Sequence, residues 1–227
     1  MLLSPLAVAL NIEAKDAYAL GVKAKKKESW RKAEIHFQRA IKLEPAWTKP
    51  REAIIRLRLD GHLSKSPLRY ELSEYRKLSP KSYKYWLFEG RYAHQLGQHQ
   101  KALSSYTKVL EIRPKTLSAM LSRGDLHLHL GEAGKALQDY QDILKLRAKH
   151  AEARWGKLLA LVQLKQWAEA HEIANELALE EPENVALWNL RNLASRYSGL
   201  PAPPSHSEAK RRFRDLPPSD DADLSEQ

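Results

Sequence analysis

A beat of 34 residues runs through most of this chain and limits its fold more than any other feature. Ala102, Ala136 and Ala170 are spaced at that interval, and Ala33 lies 69 residues before Ala102. Aromatic residues stand four places after three of these alanines, as Phe37, Tyr106 and Tyr140, with Ala174 in the fourth copy. Glycines stand twelve places before them, as Gly21, Gly90 and Gly124. Pro45, Pro80, Pro114 and Pro182 mark the ends of copies, and Ala148 fills the slot between the last two. Within each copy, apolar residues recur at three- and four-residue spacing, so each copy reads as two helices joined by a turn. The small residues let those helices approach closely, and the aromatics fill the gap to the next pair. Proline ends the second helix because it lacks an amide donor and clashes with the preceding turn. One pair cannot cover its own apolar face, so neighbours must stack.

This set of marks resembles the tetratricopeptide repeat, whose pattern runs Trp, Leu-Gly, Ala, aromatic, Pro over 34 residues. The resemblance covers about residues 14–198. It implies an all-α fold, a right-handed α-solenoid of antiparallel helix pairs. Unit 83–116 fits best, with Trp86, Gly90, Gly97, Ala102, Tyr106 and Pro114. Unit 14–47 carries Leu20-Gly21, Ala33, Phe37, Ala40 and Pro45, and units 117–150 and 151–184 follow in register. The last of these departs at Leu158, where a small residue is expected. Segment 48–82 is one residue too long and puts Arg56 in the place of a glycine, so it reads as a degenerate repeat. Its helices are expected from Arg51 to Asp60 and from Pro67 to Leu78. Residues 185–198 begin a further unit with Trp188 and read as a capping helix, and 1–13 read as a helical lead-in. From Leu200 onward prolines, serines and acids dominate, which predicts a disordered tail over 199–227. Within that tail Lys210-Arg211-Arg212-Phe213-Arg214 forms a small basic island.

The 227 residues include no cysteine, which excludes disulfides, thiolate metal sites and a cysteine nucleophile. The formal charge of +10 is uneven: +9 over residues 1–81, +5 over 82–150, and −2 over each of 151–198 and 199–227. A basic front half points to an acidic partner, nucleic acid or an anionic surface; it is also what a solvated lysine-rich helix face carries. No stretch is long and apolar enough to span a bilayer. Met1 to Leu10 are apolar without a basic leader, and Ser4-Pro5 reads as a helix N-cap, with the pattern running on through Ile12 and Tyr18 without a break. That predicts a structural helix and a cytoplasmic protein; a truncated export signal, with a periplasmic location, is the alternative.

No phosphate loop, serine elbow or zinc motif occurs. His127 and His129 fall on different sides of a helix, His94 and His99 straddle a turn at Gly97, and His36 adjoins Phe37, so neither a metal nor another cofactor is expected. Carboxylate pairs such as Glu180-Glu181 read as solvated surface, and an enzyme is not expected.

The resemblance implies that first helices line a concave groove. It assigns to that groove Tyr18, Lys25, Lys84, Leu87, Arg91, His94, Leu121, Asp125, Trp155, Leu159 and Asn189. The groove is expected to be basic near Lys84, Arg91 and His94 and apolar around Trp155. Trp155 is either a binding hot spot or a packing residue against a neighbouring helix. The family's carboxylate clamp of lysines and asparagines is missing, since those places hold Tyr18 and Val22, and Leu121 and Ser122. Three roles follow: a scaffold or adaptor holding a peptide or helix of another protein, a nucleic-acid or anionic-surface binder working through residues such as Lys25-Lys26-Lys27, and a bacterial cell-envelope assembly factor.

Overall fold

Three-residue turns recur along the chain between helices that pack on one another, and such turns reverse the chain into antiparallel pairs. The computed structural model describes residues 11–181 and 183–200. Among them are eleven helices and no strand: α1 Ile12–Lys26, α2 Trp30–Leu43, α3 Thr48–Leu59, α4 Leu68–Leu78, α5 Tyr83–Gln95, α6 His99–Ile112, α7 Leu117–His129, α8 Ala133–Leu146, α9 Ala151–Gln163, α10 Trp167–Glu180 and α11 Val185–Ser198. The fold is all-α and built of helical repeats. No helix among the described residues is long and apolar enough to cross a membrane. The basic island lies outside the described residues, as do the tail beyond Leu200 and the expected cap at Ser4-Pro5. Asn11 caps α1, its Oδ1 accepting from the Glu13 amide at 2.8 Å.

The middle residue of each three-residue turn takes the left-handed conformation: Glu28 (φ 55), Gly97 (φ 70), Gly131 (φ 77) and Lys165 (φ 59). Glycine reaches it without strain, so Gly97 and Gly131 suit their turns better than Glu28 and Lys165 do.

Two compact units divide the chain, one ending at Ser122 and the other beginning at Arg123. In the first unit, α1 packs on α2 and α5 on α6. Ala33 and Ala102 are fully buried at the fourth position of α2 and α6, and Phe37 and Tyr106 at the eighth. Each ring lies against the glycine sixteen residues earlier. A Cβ on Gly21 would lie 2.5 Å from the Phe37 ring, and one on Gly90 would lie 2.7 Å from Tyr106 Cε1. No side chain fits there, which is why these helices carry glycine.

The degenerate repeat solves the same problem with charge. An eight-residue loop replaces the three-residue turn between α3 and α4, while both helices are shorter than their counterparts. Counted from the helix starts, the inward place belongs to Ile55, not to Arg56 as the 34-residue beat implied; Ile55 is fully buried and Arg56 is exposed. Tyr75 takes the aromatic place and shares a cluster with Ile55, Leu72 and Phe88. Glu71 takes the place of the invariant alanine of the other second helices and forms a buried ion pair with Arg51 of α3. Arg58, also buried, donates to the Glu34 carboxylate and the Ser64 carbonyl.

In the second unit a Cβ on Gly124 would lie 3.0 Å from Tyr140 Cε1, and Gly156 closes on the same ring from α9. The next pair is reversed. Leu158 is large where glycine is usual, Ala174 is small where the ring is usual, and both are fully buried in one cluster. The departure at Leu158 is therefore balanced by its partner across the helix pair. α11 closes this unit's core with Trp188, and the buried Arg191 guanidinium lies 3.9 Å from the Trp188 ring centre. Burial lowers the pKa of Arg191 from its ordinary value.

Two outcomes follow. Gly90→Leu and Tyr106→Ala each lower stability, by about 2–4 kcal/mol; their combination costs less than the sum, as urea unfolding in a double-mutant cycle will show. Glu71→Ala restores the family residue yet destabilises by about 3–5 kcal/mol, because it strands Arg51; Arg51→Met in the same chain recovers most of the loss.

Candidate functional site

Long side chains on first helices point either into the helix pair or across to the neighbouring pair, and the structure separates the two. In the first unit Tyr18 is half-buried, its ring 5.5 Å from Phe37 and 4.9 Å from Trp47, so it belongs to the core edge. Lys25 is exposed in the last turn of α1. Leu87 and Leu121 are half-buried, and the His94 ring stands 6.2 Å from that of His99.

The basic patch expected near Lys84, Arg91 and His94 is largely neutralised. Lys84 Nζ lies 2.8 Å from Glu52 Oε2, and Arg91 Nη2 lies 2.8 Å from Asp60 Oδ1. Both acids come from the degenerate repeat, which the beat described poorly. Glu52 also accepts from the Tyr75 hydroxyl at 3.0 Å. Burial pushes the Tyr75 hydroxyl from its ordinary value of 10 up to about 12, the Ser82 hydroxyl opposing and Glu52 adding to the rise. Neutral Tyr75 is thus favoured in the fold. Its contribution is full below about pH 10 and is lost as pH rises through about 12. The alkaline loss of stability between pH 10 and 12 is accordingly less steep in Tyr75→Phe, measured by urea unfolding across that range.

The second unit holds a cavity of about 450 Å³. Its apolar wall is Leu128 of α7, Trp155 and Leu159 of α9, Leu177 of α10 and Leu187 of α11, with Gly156 and the Tyr140 ring beneath. Its polar lining includes the carboxylates of Asp125, Glu152 and Glu181; among the described residues no lysine or arginine lines it. The Tyr140 hydroxyl donates to Asp125 Oδ1 at 2.8 Å. Burial first, then that bond and the Asp125 charge, raise the Tyr140 pKa well beyond the ordinary tyrosine range, so this donor persists at any ordinary pH. Glu152 Oε2 lies 3.2 Å from His150 Nδ1, and Glu181 accepts from Asn184 at 2.9 Å. Trp155 is half-buried: it packs on the core cluster that holds Leu158 and Leu161, and it lines the cavity.

Of the sequence-derived candidates, this cavity gathers Asp125, Trp155 and Leu159. Asn189 is exposed on α11 and Asn184 lines the cavity instead. Tyr140, Leu177 and Glu181 were missed because only first helices were considered; the sole hint was a tyrosine, with a hydroxyl to satisfy, where Phe37 needs none. Also missed was a larger cavity, about 920 Å³, between α2 and the eight-residue loop of the first unit. There Trp30 and His62 stack with centroids 4.0 Å apart.

With this geometry in view, comparison with known proteins shows what the chain resembles. The tetratricopeptide-repeat profile matches residues 89–149 and 121–186, a little under half of the chain. Solved structures agree on the fold. A tetratricopeptide-repeat protein from Parabacteroides merdae superposes with a TM-score of 0.64 at 21% identity, covering 92% of this chain and 82% of that one. A thermophilic tetratricopeptide-repeat protein from Thermus thermophilus gives 0.57 at 19% identity, covering 82% and 100%. Cut9 in the Cut9–Hcn1 hetero-tetramer gives 0.66 at 15% identity, covering 82% of this chain and 37% of that one. No curated protein matches the sequence.

Proposed function

We propose that this chain is a scaffold or adaptor, not an enzyme, and that it holds a peptide or helix of another protein through the cavity at Trp155. The observation that carries the reading is a half-exposed tryptophan on an apolar wall, ringed by carboxylates with no cation among the lining residues. Such a site suits an apolar side chain flanked by basic residues. Leu128, Leu159 and Leu187 surround the anchor, and Asp125, Glu152 and Glu181 select the charge of its neighbours. Tyr140 holds Asp125 in place, which limits what that carboxylate loses on binding.

Of the remaining groove candidates, Asn189 belongs to the same unit as the cavity and extends its contact surface, and Tyr18, Lys25, Lys84, Leu87, Arg91, His94 and Leu121 stand as contacts of the first unit by itself. An anionic-surface role keeps one observation in its favour: Lys25, Lys26 and Lys27 are all exposed. Lys84 and Arg91, in contrast, already face carboxylates and offer less to an anion. A part in cell-envelope assembly rests on residues 1–10, which lie outside the described residues.

Affinity purification from the native host, with mass spectrometry of what is retained, tests the reading. Trp155→Ala and the charge reversal Glu152→Lys each reduce recovery of the principal partner about tenfold or more, while circular dichroism stays helical. Undiminished recovery from both variants removes the cavity as the binding site. Retention of the wild-type chain on heparin at low salt, abolished by Lys25→Glu/Lys26→Glu, would instead favour the anionic-surface role.

A further inference from the structure

We propose that the cavity at Trp155 is occupied in cis by the chain's own segment Lys210-Arg211-Arg212-Phe213-Arg214, with Phe213 on the apolar wall and the flanking cations facing the carboxylates. The inference rests on the reading of this cavity as a binding site and names its resident occupant.

The cavity sets the chemistry. Three carboxylates, Asp125, Glu152 and Glu181, line an apolar depression that no lysine or arginine among the described residues lines. The nearest strong cation on α9, Arg154, is already engaged: it bridges Glu176 and Glu180, the Glu176 contact at 3.3 Å. That engagement raises the Arg154 pKa, through Glu180 first. An occupant that satisfies both wall and rim needs one large apolar side chain with basic residues close on either side.

The segment after α11 has that composition at one place. Residues 199–227 carry four Lys+Arg and six Asp+Glu. All four cations fall within 210–214, and they surround Phe213, the one aromatic residue after Tyr197. Scattered cations in a segment of net charge −2 would have no such meaning; their collection around its single ring matches what the cavity lacks.

The reach is sufficient. α11 ends at Ser198, and the Ser195 hydroxyl donates to the Leu200 carbonyl at 3.0 Å, which ties the departing chain to the helix end. The cavity lies at the opposite end of α11, where Asn184 and Leu187 line it. Fourteen helical residues span about 21 Å. Phe213 lies thirteen residue steps beyond Leu200, and these extend to roughly 43–47 Å. That length exceeds the distance back along α11 to the cavity. Tethering gives it an effective concentration of about a millimolar, so even weak docking fills the site. An outside partner must then displace it, and a partner of the same chemistry, basic residues around an aromatic, is the one equipped to do so.

The absence of cysteine makes a direct test clean. The full-length double variant Ala151→Cys/Asp215→Cys puts one thiol at the cavity lip and one beside the basic island, and removes none of the groups invoked. Lys145→Cys/Asp215→Cys is the control, since Lys145 is exposed on α8 and does not line the cavity. Under mild oxidation the intrachain disulfide of the first variant forms about tenfold faster or more. The advantage disappears with Phe213→Ala and at about 1 M NaCl, where the Debye length falls to about 3 Å. Equal rates in the two variants overturn the proposal, and so does an advantage that survives Phe213→Ala. Cross-linked dimers in place of intrachain monomers overturn cis occupancy in favour of a second copy. The two readings fail separately: with equal disulfide rates but partner recovery lost on Trp155→Ala, the outside partner stands and the resident segment falls. A retained advantage with partner recovery untouched by Trp155→Ala gives the reverse.

Discussion

Everything in this fold depends on one steric complement, a ring on the second helix of a pair set against a missing Cβ on the first. Phe37 on Gly21, Tyr106 on Gly90 and Tyr140 on Gly124 are the same contact made three times, always sixteen residues apart. Because the ring lies where a Cβ would be, both residues are constrained together. The Leu158–Ala174 pair shows that the constraint is on their sum: the bulk has moved to the first helix and the second has shrunk to match.

The degenerate repeat shows what replaces that contact when it is lost. Ile55 occupies the inward place, the loop lengthens to eight residues, and charge enters the interior through Arg51, Arg58, Glu52 and Glu71. Each of these buried groups has an opposite charge or a hydroxyl within reach. Buried ion pairs contribute less to stability than well-packed apolar groups of the same volume, but they penalise any arrangement that separates the partners. Glu52 also reaches outward to Lys84, and the exposed Asp60 pairs with Arg91, which reduces the positive field of the first unit's surface.

The cavity in the second unit depends on the same ring contact. Tyr140 lies between Gly124 and Gly156, which brings its hydroxyl to Asp125 and leaves room above it for Trp155, Leu159 and Leu187 to form a wall. A phenylalanine at position 140 would pack as Phe37 does but would remove the hydroxyl that donates to Asp125. The tyrosine thus serves the core with its ring and the site with its hydroxyl.

Helix existence, helix pairing and the small-against-large complement were legible from the amino-acid order alone, because each is local or periodic: helical spacing follows the backbone, and the ring and its glycine keep one interval. Trp155 and Asp125 were legible as outward positions for the same reason. The beat failed at Arg56 and missed Tyr75, since an insertion shifts the count within a repeat while the helix start restores it. Only the tertiary structure decided which charges cancel. Lys84 meets Glu52 across 32 residues and Arg91 meets Asp60 across 31, intervals set by how neighbouring helices present their side chains. It also decided that residues from α7, α9, α10 and α11 enclose one cavity with acids and no lysine or arginine among its lining residues, because an enclosure belongs to several helices at once and has no interval to read.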